Sequence, residues 1–174
     1  MDIDFWVIQK MKRGDENAFD AFIRKHYEEI LKYCSYHCPD RSYAEDLTQE
    51  TFLRFFEKLS DYRYMGKTRN YLYTIAGNLC RDSYKRIRES FLDEQALEKQ
   101  DPLRPPETEE LLNRLEIREA LDRLPAELKE VIILYYFQEL KLTEIADTLQ
   151  IGLSLVKYRI KQAKKHLEKL LREE

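Results

Sequence analysis

Apolar residues recur at helical spacing along most of the chain, whereas the alternation typical of β-strands is scarce. Glycine, proline and turn-forming polar residues separate the periodic segments. The pattern therefore predicts an all-α fold. The predicted helices are an opening helix that ends near residue 14, a helix that follows residue 15, and helices over residues 43–59, 69–88, 107–124, 126–137, 142–149 and 154–171.

Several predicted helix starts carry residues that commonly cap helices. Asp15 can cap the second helix through its side-chain carboxylate. Ser42, followed three residues later by Glu45, has the sequence pattern of a capping box and predicts the start of the third helix. Lys141 stands before the seventh helix, which leaves Thr143 as the nearest candidate cap there.

The last two predicted helices have the layout of a helix-turn-helix, with a break at residues 150–152. A left-handed conformation at Gln150 would cost about 1–2 kcal/mol, so the bend is predicted at Gly152, with Ser154 as the cap of the last helix. The apolar stripes that would pack the two helices together consist of Leu142, Ile145, Ala146 and Leu149 on one and Val156, Ile160, Ala163, Leu167 and Leu170 on the other.

The outer face of the last helix is basic and indicates DNA as a partner. Residues 154–172 contain seven lysines or arginines and one acid, Glu168. A helix with one apolar side and one cationic, hydrogen-bonding side fits a major groove between phosphates, although many solvated surface helices are also rich in lysine. The candidate DNA-binding residues are Ser154, Leu155, Lys157, Tyr158, Arg159, Lys161, Gln162 and Lys165.

A second cationic segment lies at residues 62–85, where tyrosines alternate with basic residues. Aromatic rings can stack on unpaired bases while cations hold the phosphate backbone, so this segment suits the capture of bases from an opening duplex. Asn78 is either a polar surface group or an internal brace. The candidate residues are Tyr62, Arg63, Lys67, Arg69, Tyr71, Tyr73, Asn78, Arg81, Tyr84 and Lys85.

The chain is predicted to hold two small helical domains, residues 1–88 and 107–174, joined by an acidic flexible linker at residues 89–106. Three prolines fall within that linker, and residues 89–110 carry eight acids against two bases. The net charge of −3 excludes a generally basic nucleic-acid binder and points instead to two separate cationic surfaces. No apolar run is long enough to span a bilayer, and the acidic N-terminus does not resemble a signal peptide, so a cytoplasmic location is predicted.

No nucleophile–base constellation and no glycine-rich phosphate loop is visible, so no enzymatic activity, small-molecule substrate or cofactor is expected. Cys34, His37 and Cys38 lie close together on one predicted helix, with Cys80 elsewhere. Such residues are more often buried small apolar groups than ligands, and there is no CxxC pair. A metal or redox role for them stays an open alternative to a purely structural one.

One further stripe decides among the possible functions. Asp46, Gln49, Glu50 and Leu53 follow i, i+3, i+4, i+7 spacing on the third helix. With the Gly14–Phe22 opening, the segment from Tyr71 to Asp82, the Leu124–Leu134 segment and the terminal helix-turn-helix, this stripe closely resembles the bacterial RNA polymerase sigma factors of the extracytoplasmic-function (ECF) class.

The resemblance implies an alternative sigma factor that binds core RNA polymerase through its β′ clamp and β subunit and directs promoter-specific initiation. Asp46, Gln49, Glu50 and Leu53 would contact the β′ clamp. The 62–85 segment would read and help to melt the −10 element, and the last helix would read the −35 element. The class also commonly has an anti-sigma partner, often membrane-anchored.

Several positions depart from the family pattern. Ser154 and Leu155 replace its common Gly-Thr at the head of the last helix, and Leu155 cannot hydrogen-bond to a base edge, which leaves contact with a thymine methyl. Thr74 and Gly77 stand where the family often has arginine. Two other functions stay open on the sequence alone: a free-standing helix-turn-helix regulator that binds DNA as a dimer, and a thiol- or metal-responsive switch.

Overall fold

The computed structural model describes residues 2–38, 40–93 and 109–172, and all regular secondary structure in these ranges is helical. The described chain forms two compact units, one built mainly on residues up to Tyr84 and the other mainly on residues from Lys85 onward. The all-α prediction with two helical domains is confirmed. Within the described ranges, no helix combines the length and the apolar character needed to cross a membrane.

The N-terminal unit contains α1 (Ile3–Lys12), α2 (Glu16–His37), α3 (Arg41–Glu57) and the part of α4 (Thr68–Asp93) up to Tyr84. Helices α1 and α3 both pack on α2. The centre of the core contains Phe22 and Phe55, whose rings stack with centroids 4.9 Å apart. This packing fixes which side of α3 is buried and therefore which side is exposed.

The predicted cap of α2 is confirmed, whereas the predicted cap of α3 is wrong. Asp15 accepts a hydrogen bond from the Asn17 amide at 3.0 Å. At α3 the cap is Asp40, whose carboxylate accepts from the backbone amides of Ser42 and Tyr43. The helix therefore begins at Arg41, and Ser42 already lies inside its first turn. Aspartate and serine are both favourable caps, and here the earlier residue is used.

Helix α4 ends later than predicted. It continues to Asp93, so the first residues of the predicted linker, 89–93, are helical. The rest of that linker, residues 94–106, lies outside the described residues. Helix α5 (Glu109–Asp122) opens the second unit, and residues 107–108, which the prediction placed at its start, also lie outside the described residues.

The C-terminal unit continues with α6 (Ala126–Ile132), a π-helical turn (Ile133–Phe137), α7 (Leu142–Leu149) and α8 (Leu153–Arg172). The single helix predicted over residues 126–137 is therefore α-helical only in its first part. The backbone amide of Gln138 donates to the carbonyl of Ile133 at 3.0 Å, the i to i+5 bond typical of a π-turn. Helix α8 packs on α5 and α6, with Val156, Ile160 and Ala163 buried.

The turn between α7 and α8 differs from the prediction in both of its details. Gln150 has a φ of 55°, so the left-handed residue is the glutamine and the bend is not centred on Gly152. The backbone carbonyl of Gly152 accepts from the amides of Leu155 and Val156, so α8 begins at Leu153 and Ser154 is not its cap. The amide of Ile151 donates to the carbonyl of Ala146 at 3.1 Å, which stabilises the left-handed end of α7.

The start of α7 is also capped differently from the prediction. The backbone amide of Lys141 donates to the carboxylate of Glu144 at 2.7 Å, and its carbonyl accepts from the Ile145 amide at 3.0 Å. Lys141 therefore occupies the cap position and Thr143 does not. Glu144 supplies the returning half of a capping box, which functions here without a serine or threonine at its first position.

Candidate nucleic-acid interface

The outward side of α8 carries the cationic face predicted from the sequence. Lys157, Lys161 and Lys165 are exposed, as are Ser154 and Leu155. The opposite side holds the buried residues Val156, Ile160 and Ala163, so the polar and apolar sides are cleanly separated. A helix arranged in this way can place its exposed side in a DNA groove while its buried side stays anchored to α5 and α6.

Two candidate residues on α8 are less exposed than the others. Gln162 is half-buried at the edge of the face. Only 19% of the Arg159 side chain is exposed, and its guanidinium Nη2 lies 3.4 Å from the Glu127 carboxylate on α6. We therefore leave Arg159 out of the DNA-facing set, because its charge is directed to a neighbouring helix. Sequence spacing placed it near the face but could not reveal its partner.

The segment at residues 62–73 is more buried than the sequence suggested. The Tyr62 and Tyr71 rings stack with centroids 5.2 Å apart, and Phe55 packs edge-on against both. The Tyr62 hydroxyl lies 3.2 Å from the Thr68 hydroxyl, and burial raises the pKa of Tyr62. These two tyrosines are half-buried, so each offers only part of its ring to a ligand.

Tyr73 lies in the core and not on a DNA-facing surface. Its side chain is 1% exposed and packs against Tyr33, with ring centroids 5.3 Å apart. Burial raises the pKa of Tyr73, with Glu29 adding to the effect. Arg69 is held over the Tyr73 ring at 6.0 Å and also lies 3.8 Å from Glu29, so its guanidinium already has partners within the N-terminal unit.

The remaining candidates in this segment are exposed. Tyr84 is 63% exposed on the outer side of α4, near the cations of Arg81 and Lys85. Asn78 is also exposed and accepts a hydrogen bond from the Arg81 guanidinium, so it is a polar surface group and not an internal brace. The exposed members of the predicted −10 set are Arg63, Lys67, Asn78, Arg81, Tyr84 and Lys85.

The stripe on α3 forms a separate exposed surface. Asp46 and Gln49 are exposed, Leu53 is 56% exposed, and Glu50 lies beside them. The opposite side of α3 is buried against the core. An exposed leucine surrounded by acids and an amide is suited to a protein partner that combines cations with an apolar contact.

Sequence reasoning missed a cation beside this stripe. The Arg54 Nε lies 3.1 Å from the Glu50 carboxylate one turn away, and both side chains are 46% exposed. The i, i+4 spacing of the two residues was the available signal. A partner that binds Glu50 must compete with this pair, which is weak because it is exposed to solvent.

The side chains that the sequence offered for a metal or redox role are mainly buried cysteines. The three cysteines are buried thiols, and the pKa of Cys34 is lowered by hydrogen bonds with Cys80 and Thr48, against the opposing effect of burial. Cys34 on α2 therefore interacts with the Cys80 thiol on α4. Among the described residues, no group of three or more histidine, cysteine or acidic side chains is arranged to hold a metal ion.

Comparison with known proteins assigns the chain to a family. Residues 22–89 match the family described as Sigma-70 region 2, and residues 114–167 match the family described as Sigma-70, region 4. The RNA polymerase sigma factor YlaC of Bacillus subtilis is 30% identical over 91% of this chain and 94% of its own length. The chain belongs to the ECF class of RNA polymerase sigma factors. It is therefore a promoter-directing initiation factor and not an enzyme.

Other relatives agree with this assignment. The ECF sigma factor SigW of Bacillus subtilis is 29% identical, with 95% of each chain covered. Among solved structures, CnrH in complex with the cytosolic domain of CnrY has a TM-score of 0.77 at 22% identity, over 99% of each chain. The sigma factor RpoE of Bartonella quintana, in complex with the anti-sigma factor NepR, has a TM-score of 0.66 at 18% identity. At these identities the two structures support the fold alone.

Proposed function

We propose that this ECF sigma factor divides its work among three surfaces: the α3 stripe binds core polymerase, the exposed side of α4 contacts the −10 element, and the outer face of α8 contacts the −35 element. The observation that carries the proposal is the separation of charge. Exposed acids lie on α3 and exposed cations lie on α8, although the chain as a whole has a net charge of −3.

The α3 surface is the proposed contact with the β′ clamp of the polymerase. Asp46 and Glu50 are one helical turn apart on the exposed side, so both carboxylates can meet one partner helix. Charge-assisted hydrogen bonds to arginine would fix the register of such a contact. Leu53 adds an apolar anchor, because more than half of its surface is exposed before binding.

The division of the chain into domains at residues 1–88, 89–106 and 107–174 belongs to the same proposal.

The proposed −10 surface is smaller than the set predicted from the sequence. It consists of the exposed side chains on and before α4, with Arg81, Tyr84 and Lys85 at its centre. Tyr84 can stack on an unpaired base, which contributes about 1–3 kcal/mol, while the neighbouring cations hold the backbone. Tyr62 and Tyr71 would stabilise the segment between α3 and α4 that carries Arg63 and Lys67, since their rings stack on each other.

Two separate DNA contacts can each be weak and still act together. Once polymerase holds the factor near DNA, the second contact becomes effectively intramolecular, so avidity exceeds the affinity of either surface. The two surfaces can therefore select a promoter together even where neither binds DNA tightly by itself. This arrangement also predicts that the isolated factor binds DNA poorly.

An anti-sigma factor is the proposed regulator in this chain too. The solved structures of CnrH and of RpoE each contain a second protein, CnrY or the anti-sigma factor NepR. An anti-sigma partner would compete with polymerase if it covered the α3 stripe. Because the proposed partners are core polymerase and chromosomal promoters, we place the protein in the bacterial cytoplasm.

The test is reconstitution with core RNA polymerase. We expect the full-length factor to co-elute with core enzyme in size-exclusion chromatography and to direct transcription from promoters recovered from its own genome. The factor alone should give no footprint on the same promoters at the same concentration. A stable footprint by the isolated protein as a dimer, without co-elution, would instead establish a free-standing regulator.

A further inference from the structure

The outer face of α8 has two edges with different chemistry. Leu155, Tyr158 and Gln162 are spaced i, i+3 and i+7, so they line one edge. Lys157 and Lys161 are spaced i and i+4 and line the other, which continues to Lys164, whose Nζ lies over the Tyr136 ring at 5.6 Å. The face is therefore not uniformly cationic. One edge offers apolar surface in the first two turns, followed by the Gln162 amide and Lys165, and the other offers the positive charges of Lys157 and Lys161.

The apolar edge is exposed although its residues are large. Leu155 is 39% exposed and Tyr158 is 59% exposed, whereas Val156 and Ile160 on the same helix are buried. Both residues lie in the first two turns of α8, which begins at Leu153. The first turns of a recognition helix are the part that reaches base edges in the major groove. Exposed apolar groups at this position are suited to an apolar feature of a base.

Only one of the four DNA bases presents such a feature in the major groove. Thymine carries a C5-methyl group there, while the other bases present hydrogen-bond donors and acceptors. A leucine side chain can neither donate nor accept a hydrogen bond, so it cannot read those other patterns. The tyrosine ring adds apolar surface beside the leucine, and its hydroxyl can reach a phosphate or a base edge.

We infer that Leu155 and Tyr158 form a methyl-reading patch that selects thymine at one or two positions of the −35 element, while the lysines on the opposite edge of α8 hold the phosphate backbone. The inference rests on the proposed −35 role of α8 and specifies the bases that this role selects. Arg159 lies outside this patch, because its side chain is mostly buried and its guanidinium is 3.4 Å from Glu127 on α6.

The exposure of Leu155 and Tyr158 admits a second occupant, a protein that binds the same face. The cationic edge favours DNA, because Lys157 and Lys161 are exposed beside the patch and their spacing follows the helix axis. A duplex supplies both the methyl group and the phosphates to one helix. The experiment below distinguishes protein binding at this face from recognition of DNA bases.

The experiment uses the reconstituted holoenzyme and DNA that differs by single methyl groups. Holoenzyme first selects binding sites from promoter fragments randomised over the −35 element, and we expect thymine to be enriched at one or two positions. Each enriched thymine is then replaced by deoxyuridine, which removes only the C5-methyl. We expect binding about fourfold weaker per methyl, the effect of losing about one buried methylene-sized group.

Variants of the patch assign the effect to its residues. Leu155→Ala holoenzyme should bind thymine and deoxyuridine sites equally at one of the enriched positions. Leu155→Met, which keeps an apolar side chain of similar size, should retain the discrimination and shows that loss of folding is not the cause. Lys161→Ala is the matched control, because it should weaken binding to both DNAs by the same factor.

The outcomes separate this inference from the proposed function. If the holoenzyme selects and transcribes promoters but binds thymine and deoxyuridine sites equally, the methyl-reading patch is disproved while the −35 role stands. That result, together with loss of a co-purifying protein on Leu155→Ala, would assign the patch to protein binding. If no −35 sequence is selected at all, the proposed role of α8 fails first.

Discussion

Arg159 on α8 and Glu127 on α6 face each other at 3.4 Å between Nη2 and Oε2, and the arginine side chain is the more buried of the two, at 19% exposure against 73%. The contact joins α8, the proposed DNA-binding helix, to α6. The charge of this arginine is therefore directed toward α6 and not toward the exposed side of α8. Arg159 lies two positions from Lys157 and from Lys161, but those lysines are exposed whereas the Arg159 side chain is mostly buried beside Glu127.

This difference can be measured with two single-charge variants. Lys161→Ala should reduce the slope of log K against log salt concentration by about one unit, because it removes a phosphate contact. Arg159→Ala should leave that slope unchanged and instead lower the free energy of unfolding by about 1 kcal/mol, through lost packing of the arginine stem. Holoenzyme binding to promoter DNA over a series of salt concentrations, with urea unfolding of the free factor, tests both. A salt slope that is reduced by about one unit in Arg159→Ala as well would show that Arg159 leaves Glu127 to contact DNA.

The sequence allowed the all-α fold, most helix positions and the exposed stripes on α3 and α8 to be predicted, because helical periodicity reports directly which side of a helix is buried. It was less informative where a helix packs on more than one side. Tyr73 and Leu72 are adjacent and both buried in α4, so periodicity alone could not tell that Tyr73 is unavailable to DNA.

Helix ends were the other source of error, for a local reason. Asp40 and Ser42 are both good caps two residues apart, and intrinsic preference alone does not rank them reliably. At Gln150 the conformational cost of about 1–2 kcal/mol favoured a bend elsewhere. The left-handed residue is nevertheless Gln150, and the backbone hydrogen bond from the Ile151 amide to the Ala146 carbonyl that closes the helix there is not visible in the sequence. Ion-pair partners such as Glu127, distant in sequence from Arg159, could not be predicted from spacing.

Charge reversal on α3 should separate polymerase binding from folding. We expect Asp46→Arg to abolish co-elution with core RNA polymerase, because it replaces an attraction for cationic partner groups with repulsion. The variant should keep the helical circular dichroism of the parent, since Asp46 is exposed. Asp20→Arg on α2 is the matched control: it makes the same charge change at an exposed acid of the same unit and should leave co-elution intact. Retained binding by Asp46→Arg would exclude the α3 stripe as the docking surface.

At the left-handed position 150 in the helix-turn-helix, glycine should be more stable than alanine. Gln150 has a φ of 55°, a conformation that glycine adopts without a side-chain clash. Gln150→Gly should raise the free energy of unfolding by about 1 kcal/mol relative to Gln150→Ala, after allowance for the greater freedom of glycine in the unfolded chain. The alanine variant removes the same side chain but keeps the strain, so the comparison isolates the backbone. Urea midpoints of the full-length chains measure it, and equal midpoints would mean that the turn relaxes.

His26 should make the stability of the factor fall in mild acid. Its side chain is 3% exposed, and burial lowers its pKa from the ordinary 6.5, against the opposing attraction of Asp4, whose carboxylate lies 3.4 Å away. Because the folded pKa is below the unfolded one, the unfolded chain takes up the proton first as the pH falls. The stability from neutral His26 is therefore present above about pH 6.5 and is lost progressively below it.

The measurement is the free energy of unfolding of the full-length factor as a function of pH, compared with His26→Gln. The variant will be less stable throughout, because the His26 ring packs on Phe22 with centroids 4.8 Å apart. The informative quantity is the slope between pH 7.5 and 5.5, which should be shallower in the variant because glutamine does not titrate in that range. An equal slope in the wild type and His26→Gln would place the acid sensitivity on other groups.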